Sequence, residues 1–148
     1  LGLTIIADTY ALQEKAMEKH GKHPLHTDQA PAAIGPYSQG VAVGRYVFTS
    51  GQLPIDPASG TIPEGIEQQA RVALANVSAV LQAAGSGLDR AIKLTVFMTD
   101  IAEFAAFNAV YAEVFEAAGG SFPARSALQV AALPKPEARI EIEAVATI

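Results

Sequence analysis

Arg125 stands in Ser121-Phe122-Pro123-Ala124-Arg125-Ser126, just after a proline and just before an apolar strand. Its guanidinium is always charged and presents a planar fork of donors that matches a carboxylate. An arginine that opens a strand of a compact domain can anchor a small anionic substrate. From the hexapeptide alone, a surface arginine in a loop is the favoured reading. Four further polar groups fall where strand ends and loops would converge. Tyr37 follows Ile34-Gly35-Pro36, a turn that fixes where the phenol points. Ser50 ends a strand at Ser50-Gly51-Gln52, and Gly51 leaves room for a ligand against the backbone. Asn108 lies on a helix one turn before Tyr111, and Glu141 opens the last strand. Each also has an ordinary structural account: a turn tyrosine, a hydrogen-bonded serine, a helix–loop staple, a solvated glutamate.

Other chemistries are poorly supported. His20, His23 and His26 are spaced like a metal cluster, but Gly21 and Pro24 break any common helix face. No carboxylate or cysteine nearby completes such a site. All three histidines lie in this stretch, which argues against a serine–histidine–aspartate triad. The chain has no cysteine, so disulfides, thiolate catalysis and cysteine zinc sites are excluded. Gly85-Ser86-Gly87 follows a helix and lacks the strand-before, helix-after context of a phosphate loop.

The elements that must position these groups follow from periodicity. With 148 residues, 50% of them hydrophobic and 17% charged, the chain suits one folded domain with a real core. A net charge of −5 argues against broad nucleic-acid binding. No apolar run is long enough to span a bilayer and no signal pattern opens the chain, which with the missing cysteines fits a cytoplasmic protein. Residues 1–26 are set apart as an N-terminal extension or arm, with Leu3–Ile6 as a short strand and Thr9–His20 as a short helix stopped by Gly21. Residues 27–148 form the domain. Gly40–Val43 and Tyr46–Ser50 make a hairpin about Gly44-Arg45. Ile66, Ala70, Leu74, Val77, Leu81 and Ala84 repeat at helical spacing, and Gly85 closes that helix. Ile92, Leu94, Val96 and Met98 alternate as a strand. Asp100, with Glu103 three residues on, suits the capping box of a second helix. Phe104, Phe107, Tyr111, Val114 and Ala118 line one side of it. Strands near Ala127–Ala131 and Arg139–Ala146 complete the order ββαβαββ.

This is an α+β domain with two helices on one face of a mixed sheet. Ile140, Ile142, Ala144 and Ala146 would face the helices. Glu141, Glu143 and Val145 would then share the other face with Lys93, Thr95 and Phe97. Such a mixture suits a subunit interface containing a polar pocket, and a homo-oligomer is expected.

Several segments, in order, resemble the RidA/YjgF family of reactive-intermediate imine deaminases. They are Ala30–Gly40 (Ala-Pro-Ala-Ala-Ile-Gly-Pro-Tyr-Ser-Gln-Gly), Thr49–Pro54, Phe122–Ser126 and Ile140–Ala144, supported by Asn76, Thr95-Val96-Phe97 and Asn108-Ala109-Val110-Tyr111. The resemblance covers Thr27–Ile148, or 122 of 148 residues. It implies a chorismate-mutase-like fold assembled as a homotrimeric barrel with sites between subunits. It further implies hydrolysis of 2-imino acids, such as 2-iminobutanoate and 2-iminopropanoate, or their enamine tautomers, to 2-oxo acids and ammonia. These intermediates arise from pyridoxal-phosphate-dependent dehydratases acting on serine or threonine. The family needs no metal or cofactor.

Carried over by the resemblance, Arg125 clamps the substrate carboxylate, and the backbone at Gly51 and Ala127 adds hydrogen bonds. Glu141 holds or activates the water, while Tyr37, Ser50 and Asn108 shape the pocket. Burial would raise the Glu141 pKa, with Arg125 opposing. Many deaminating members have cysteine where this chain has Ala127, and charged residues where it has Gln129 and Ala132. These departures bear on substrate preference. A non-catalytic binder of small carboxylic or 2-oxo acids is the alternative, distinguished by Glu141, which pure binding does not need. A ribonuclease or translation-inhibitor activity is a third reading, disfavoured by the acidic balance.

Overall fold

Alternation along the last strand decides the layering. The structure, a computed structural model, describes residues 21–148. In β6 (Ile140–Thr147), Ile140, Ile142, Ala144 and Ala146 are buried while their neighbours are half-buried, as a strand with one face against a core requires. Five more strands join it: β1 (His23–Leu25), β2 (Gly40–Val43), β3 (Tyr46–Thr49), β4 (Ala91–Met98) and β5 (Ala124–Gln129). Their order across the sheet is β1-β2-β3-β6-β4-β5. Every pairing is antiparallel except β4 with β5, which run parallel.

Helix α1 (Ile66–Ala83) and helix α2 (Phe104–Ala118) cover one face. α2 is the crossover that parallel strands need, carrying the chain from β4 to β5. From α1, Ala70, Ala73, Leu74, Val77 and Leu81 pack onto Val47, Leu94, Val96, Ile140 and Ile142 of the sheet, and α2 adds Phe107, Val110, Tyr111 and Phe115. Gly85 adopts φ +79° after α1, where its N–H donates to Gln82 O, so the glycine ends the helix in a left-handed conformation.

The α+β class and the two helices on one face agree with the sequence reading; three local details differ. The sheet gains β1 at an edge, pairing His23, Pro24 and Leu25 with Ala42, Val41 and Gly40, so it reaches beyond residue 27 into the stretch set apart as an arm. The strand at Leu3–Ile6 and the helix at Thr9–His20 lie outside the described residues. β5 begins at Ala124 rather than Ala127, so Arg125 lies within the strand. Asp100 does cap, accepting from Ala102 N at 2.9 Å, but it caps a 3₁₀ turn at Ile101–Glu103 that leads into α2. Glu103 does not close the box, because its carboxylate pairs with Arg139 instead.

The second sheet face is uncovered in the single chain. Tyr46, Phe48 and Leu128 expose 49%, 45% and 40% of their surface there, far more than a strand core tolerates. Lys93 Nζ donates to Ser126 Oγ at 2.8 Å across the same face. A small hollow of about 100 Å³ lies between Phe48, Lys93, Thr95, Glu143 and Val145. Among the described residues no helix is long and apolar enough to cross a membrane.

Candidate active site

Arg125 projects from the helix-covered face of β5, since its register partner on β4 is the buried Leu94. α2 meets it there. Arg125 Nη1 donates to Asn108 Oδ1 at 2.7 Å. The guanidinium carbon sits 4.5 Å from the ring centroid of Tyr111, 5.3 Å from that of Phe104 and 5.8 Å from that of Phe107. Phe104, Phe107, Asn108 and Tyr111 recur at three- and four-residue spacing, so one face of α2 supplies the whole cradle. Ring faces attract the cation, and the asparagine engages one edge of the fork. Tyr111 is itself packed against Phe115 and Phe122. Burial pushes the Tyr111 phenol above its usual pKa, and the positive charge of Arg125 partly offsets this. Ala127 follows on the same face of β5, half-buried against the core.

Glu141 occupies the other side. On β6 it pairs with Phe97 of β4 and points from the uncovered face. Its carboxylate lies directly against Gly51, and a Cβ built on that glycine would fall 2.8 Å from Glu141 Cδ. Gly51 therefore serves through its missing side chain, leaving space for the carboxylate. The backbone here is fixed by reciprocal bonds between Gln52 and Ile142, with Gln52 N donating to Ile142 O at 2.8 Å and Ile142 N to Gln52 O at 3.1 Å. Ser50 Oγ donates to Ser38 O at 2.5 Å and Ser50 N to Gln39 O at 2.9 Å, which ties the Tyr37 loop to the Gly51 strand end. Tyr37 remains half-exposed. Tyr37, Ser50, Gly51 and Glu141 all line one open cleft of about 1250 Å³, whose far wall is formed by Ile55–Ile62 and Pro134–Glu137. Burial raises the Glu141 pKa above the ordinary carboxylate value, and the like charge of Glu143 raises it further.

The seven candidate residues thus form two groups. Arg125, Asn108 and Ala127 stand on the helix side at the β5 edge; Tyr37, Ser50, Gly51 and Glu141 stand on the cleft side. Three residues along and two strands across separate Arg125 from Glu141, or about 14 Å between Cα atoms by ordinary strand spacing. Their side chains leave opposite faces. The expected opposition of Arg125 to the Glu141 shift is accordingly absent from its causes, and Arg125 acts on Tyr111 instead. Among the described residues no three histidine, aspartate or glutamate side chains come together as metal ligands.

Sequence patterns alone understated several contributors. Phe104, Phe107 and Tyr111 counted as core positions of an amphipathic helix, yet they also flank the guanidinium. Gln69 carried no role and Asn76 entered only as support for the resemblance, although both are buried on α1. A polar residue inside an apolar helical stripe was the available signal, since burying an amide without partners is costly. Gly51→Ala is expected to move the Glu141 carboxylate while leaving the fold within about 1 kcal/mol, because the clash falls on the end of a flexible side chain. A carboxyl NMR titration shows this as a displaced, re-titrating Glu141 signal; an unchanged signal contradicts it.

The profile of the family described as Endoribonuclease L-PSP matches residues 27–148. A 2-iminobutanoate/2-iminopropanoate deaminase of Salmonella typhimurium is 50% identical over 122 residues, covering 82% of this chain and 94% of the relative. One of the same name from Capra hircus is 51% identical over 123 residues, covering 82% and 87%. Among solved structures, Escherichia coli TdcF with bound serine superposes with a TM-score of 0.83 at 48% identity, covering 85% of this chain and 98% of that one. The chain belongs to the RidA/YjgF family.

Proposed function

We propose that this protein is a 2-iminobutanoate/2-iminopropanoate-type deaminase, hydrolysing the C=N bond of small 2-imino acids to release 2-oxo acids and ammonium. The observation that carries the reading is the sequence, about half identical to deaminases of that name, in which a caged arginine and a cleft glutamate stand on opposite sides of the sheet. A protonated imine is already electrophilic, so the work is mainly positioning. Arg125 clamps the substrate carboxylate through the part of its fork that Asn108 leaves free. Glu141 accepts a proton from water as the oxygen attacks the imine carbon. That proton then passes to the nitrogen, and the C–N bond breaks to release ammonia. The hydroxyl becomes the ketone by losing its own proton through Glu141 to the departing ammonia, which leaves as ammonium. Tyr37 and Ser50 shape the cleft, and backbone groups at Gly51 and Ala127 hold the substrate.

The two residue groups become one site when the β5 edge of one copy meets the Glu141 cleft of another. The uncovered apolar sheet face supports such an assembly, and a closed homotrimer is the form proposed. Pyridoxal-phosphate-dependent dehydratases in the same, cytoplasmic, compartment are the proposed source of the imines. The net charge of −5 and the absence of a basic strip give RNA cleavage no comparable support.

The test is a coupled assay in which a threonine or serine dehydratase generates the imine with and without this protein. Faster release of 2-oxo acid in proportion to added protein is expected. No acceleration, together with retained binding of 2-oxobutanoate, would instead identify a non-catalytic binder.

A further inference from the structure

Gln69 and Asn76 lie seven residues apart on α1, two helical turns along one face, and are 2% and 1% exposed. Neither touches the cleft's interior as a lining residue. Gln69 spends its whole amide on two chain segments. Nε2 donates to Pro63 O and to Glu137 O, both at 2.9 Å, and Oε1 accepts from Arg139 N at 2.7 Å. Asn76 holds a third segment through its Nδ2, which donates to Leu53 O at 3.0 Å and Ile55 O at 2.8 Å.

Four of those five backbone groups border Glu141 or its cleft. Leu53 follows Gln52, whose backbone is bonded both ways to Ile142. Arg139 precedes Ile140 at the entry to β6, and its carbonyl also accepts from Thr99 N at 3.1 Å. Leu53, Ile55 and Glu137 line the cleft itself. One helix therefore grips the chain just before Glu141 and the chain that packs against it.

We propose that Gln69 and Asn76 are positioning residues for Glu141, setting the carboxylate against the cleft through the backbone rather than touching substrate. The kinetic part of this rests on the deaminase reading; the structural part does not. Truncating either clamp frees a cleft wall, lets water reach the carboxylate and displaces it, while Arg125 on β5 and α2 keeps its own partners. A positional error near one ångström is enough to slow a positioned reaction on the order of a hundred-fold. The other titratable side chains bordering the cleft are Tyr37, Asp56, Lys135, Glu137 and Glu143, with Lys93 farther along the same sheet face.

Gln69→Met, of similar length, removes all three bonds; Asn76→Ser shortens one clamp and is the milder companion should the first not fold. Val77→Ala, a cavity at a buried core position of the same helix that does not line the cleft, controls for simple destabilisation. In Gln69→Met, kcat is expected to fall on the order of ten-fold or more with KM within about two-fold. Its Glu141 carboxyl, followed by NMR, should titrate nearer the ordinary value than in wild type, and Asn76→Ser should move the same way by less. Val77→Ala should lower the melting temperature with neither change. The inference is overturned if Glu141 titrates in Gln69→Met and Asn76→Ser as it does in Val77→Ala. That comparison stands even if the wild-type protein proves to have no imine turnover, an outcome that would remove the deaminase reading alone.

Discussion

Arg125→Ala is expected to abolish imine turnover and 2-oxo acid binding together. The wild-type guanidinium is held by Asn108 and flanked by three aromatic rings, so its fork is oriented before any ligand arrives. Hydrogen bonds between charged groups contribute about 1.5–3 kcal/mol each, and a bidentate clamp contains two. Their loss corresponds to at least about a hundred-fold in kcat/KM. Arg125→Lys keeps the charge without the fork and should fall between the two. The fold itself should lose less than about 2 kcal/mol, the scale of a cation–π contact plus one side-chain bond. Calorimetric titration with 2-oxobutanoate beside the coupled assay checks both arms. Turnover surviving within about three-fold would remove the arginine from the site.

Glu141→Gln should separate what Arg125→Ala joins. Binding of 2-oxo acids should persist, because the proposed carboxylate clamp is Arg125, while kcat falls by about a hundred- to ten-thousand-fold with loss of the proposed general base. The wild-type rate should rise with pH through a limb lying above the ordinary carboxylate range, since burial first and Glu143 second raise this pKa. The variant should lack that limb. Stability moves in the opposite sense. A carboxyl whose folded pKa is raised binds its proton more tightly in the folded chain than in the unfolded one. Its stabilising contribution is complete below the ordinary carboxylate value and is lost as pH rises through the raised value. At neutral pH the ionised Glu141 is therefore a cost, and Glu141→Gln should unfold at higher urea than wild type there. The gap should close in acid. A gap that widened in acid would contradict the assigned cause.

The layering was legible because β6 alternates cleanly: a slip of one residue would bury Glu141 and Glu143 and expose Ile140 and Ile142. The helices were legible from their apolar stripes and closing glycines. β1 was not, because His23-Pro24-Leu25 has no periodicity and proline argues against a strand interior; an edge position, with one unpaired side, removes that objection. The start of β5 was missed for a related reason. Ala124, Arg125 and Ser126 have little strand preference of their own, and pairing with Lys93, Leu94 and Thr95 decides their conformation. The candidate residues were legible one by one, but not their division between two sides of the sheet. That depends on β6 and β4 lying between β3 and β5, an order no local pattern encodes.

The division of Arg125 and Glu141 between opposite faces has a consequence for mixtures. Under the proposed assembly each chain lends an arginine to a neighbour's cleft and keeps its glutamate in its own. An Arg125→Ala chain and a Glu141→Gln chain are then both inactive alone, yet each carries the half the other has lost. Dissociated and reassembled in equal amounts, they should pair at random, and about a quarter of the clefts would receive both intact residues, whatever the number of copies in the ring. Two inert preparations would produce an active one.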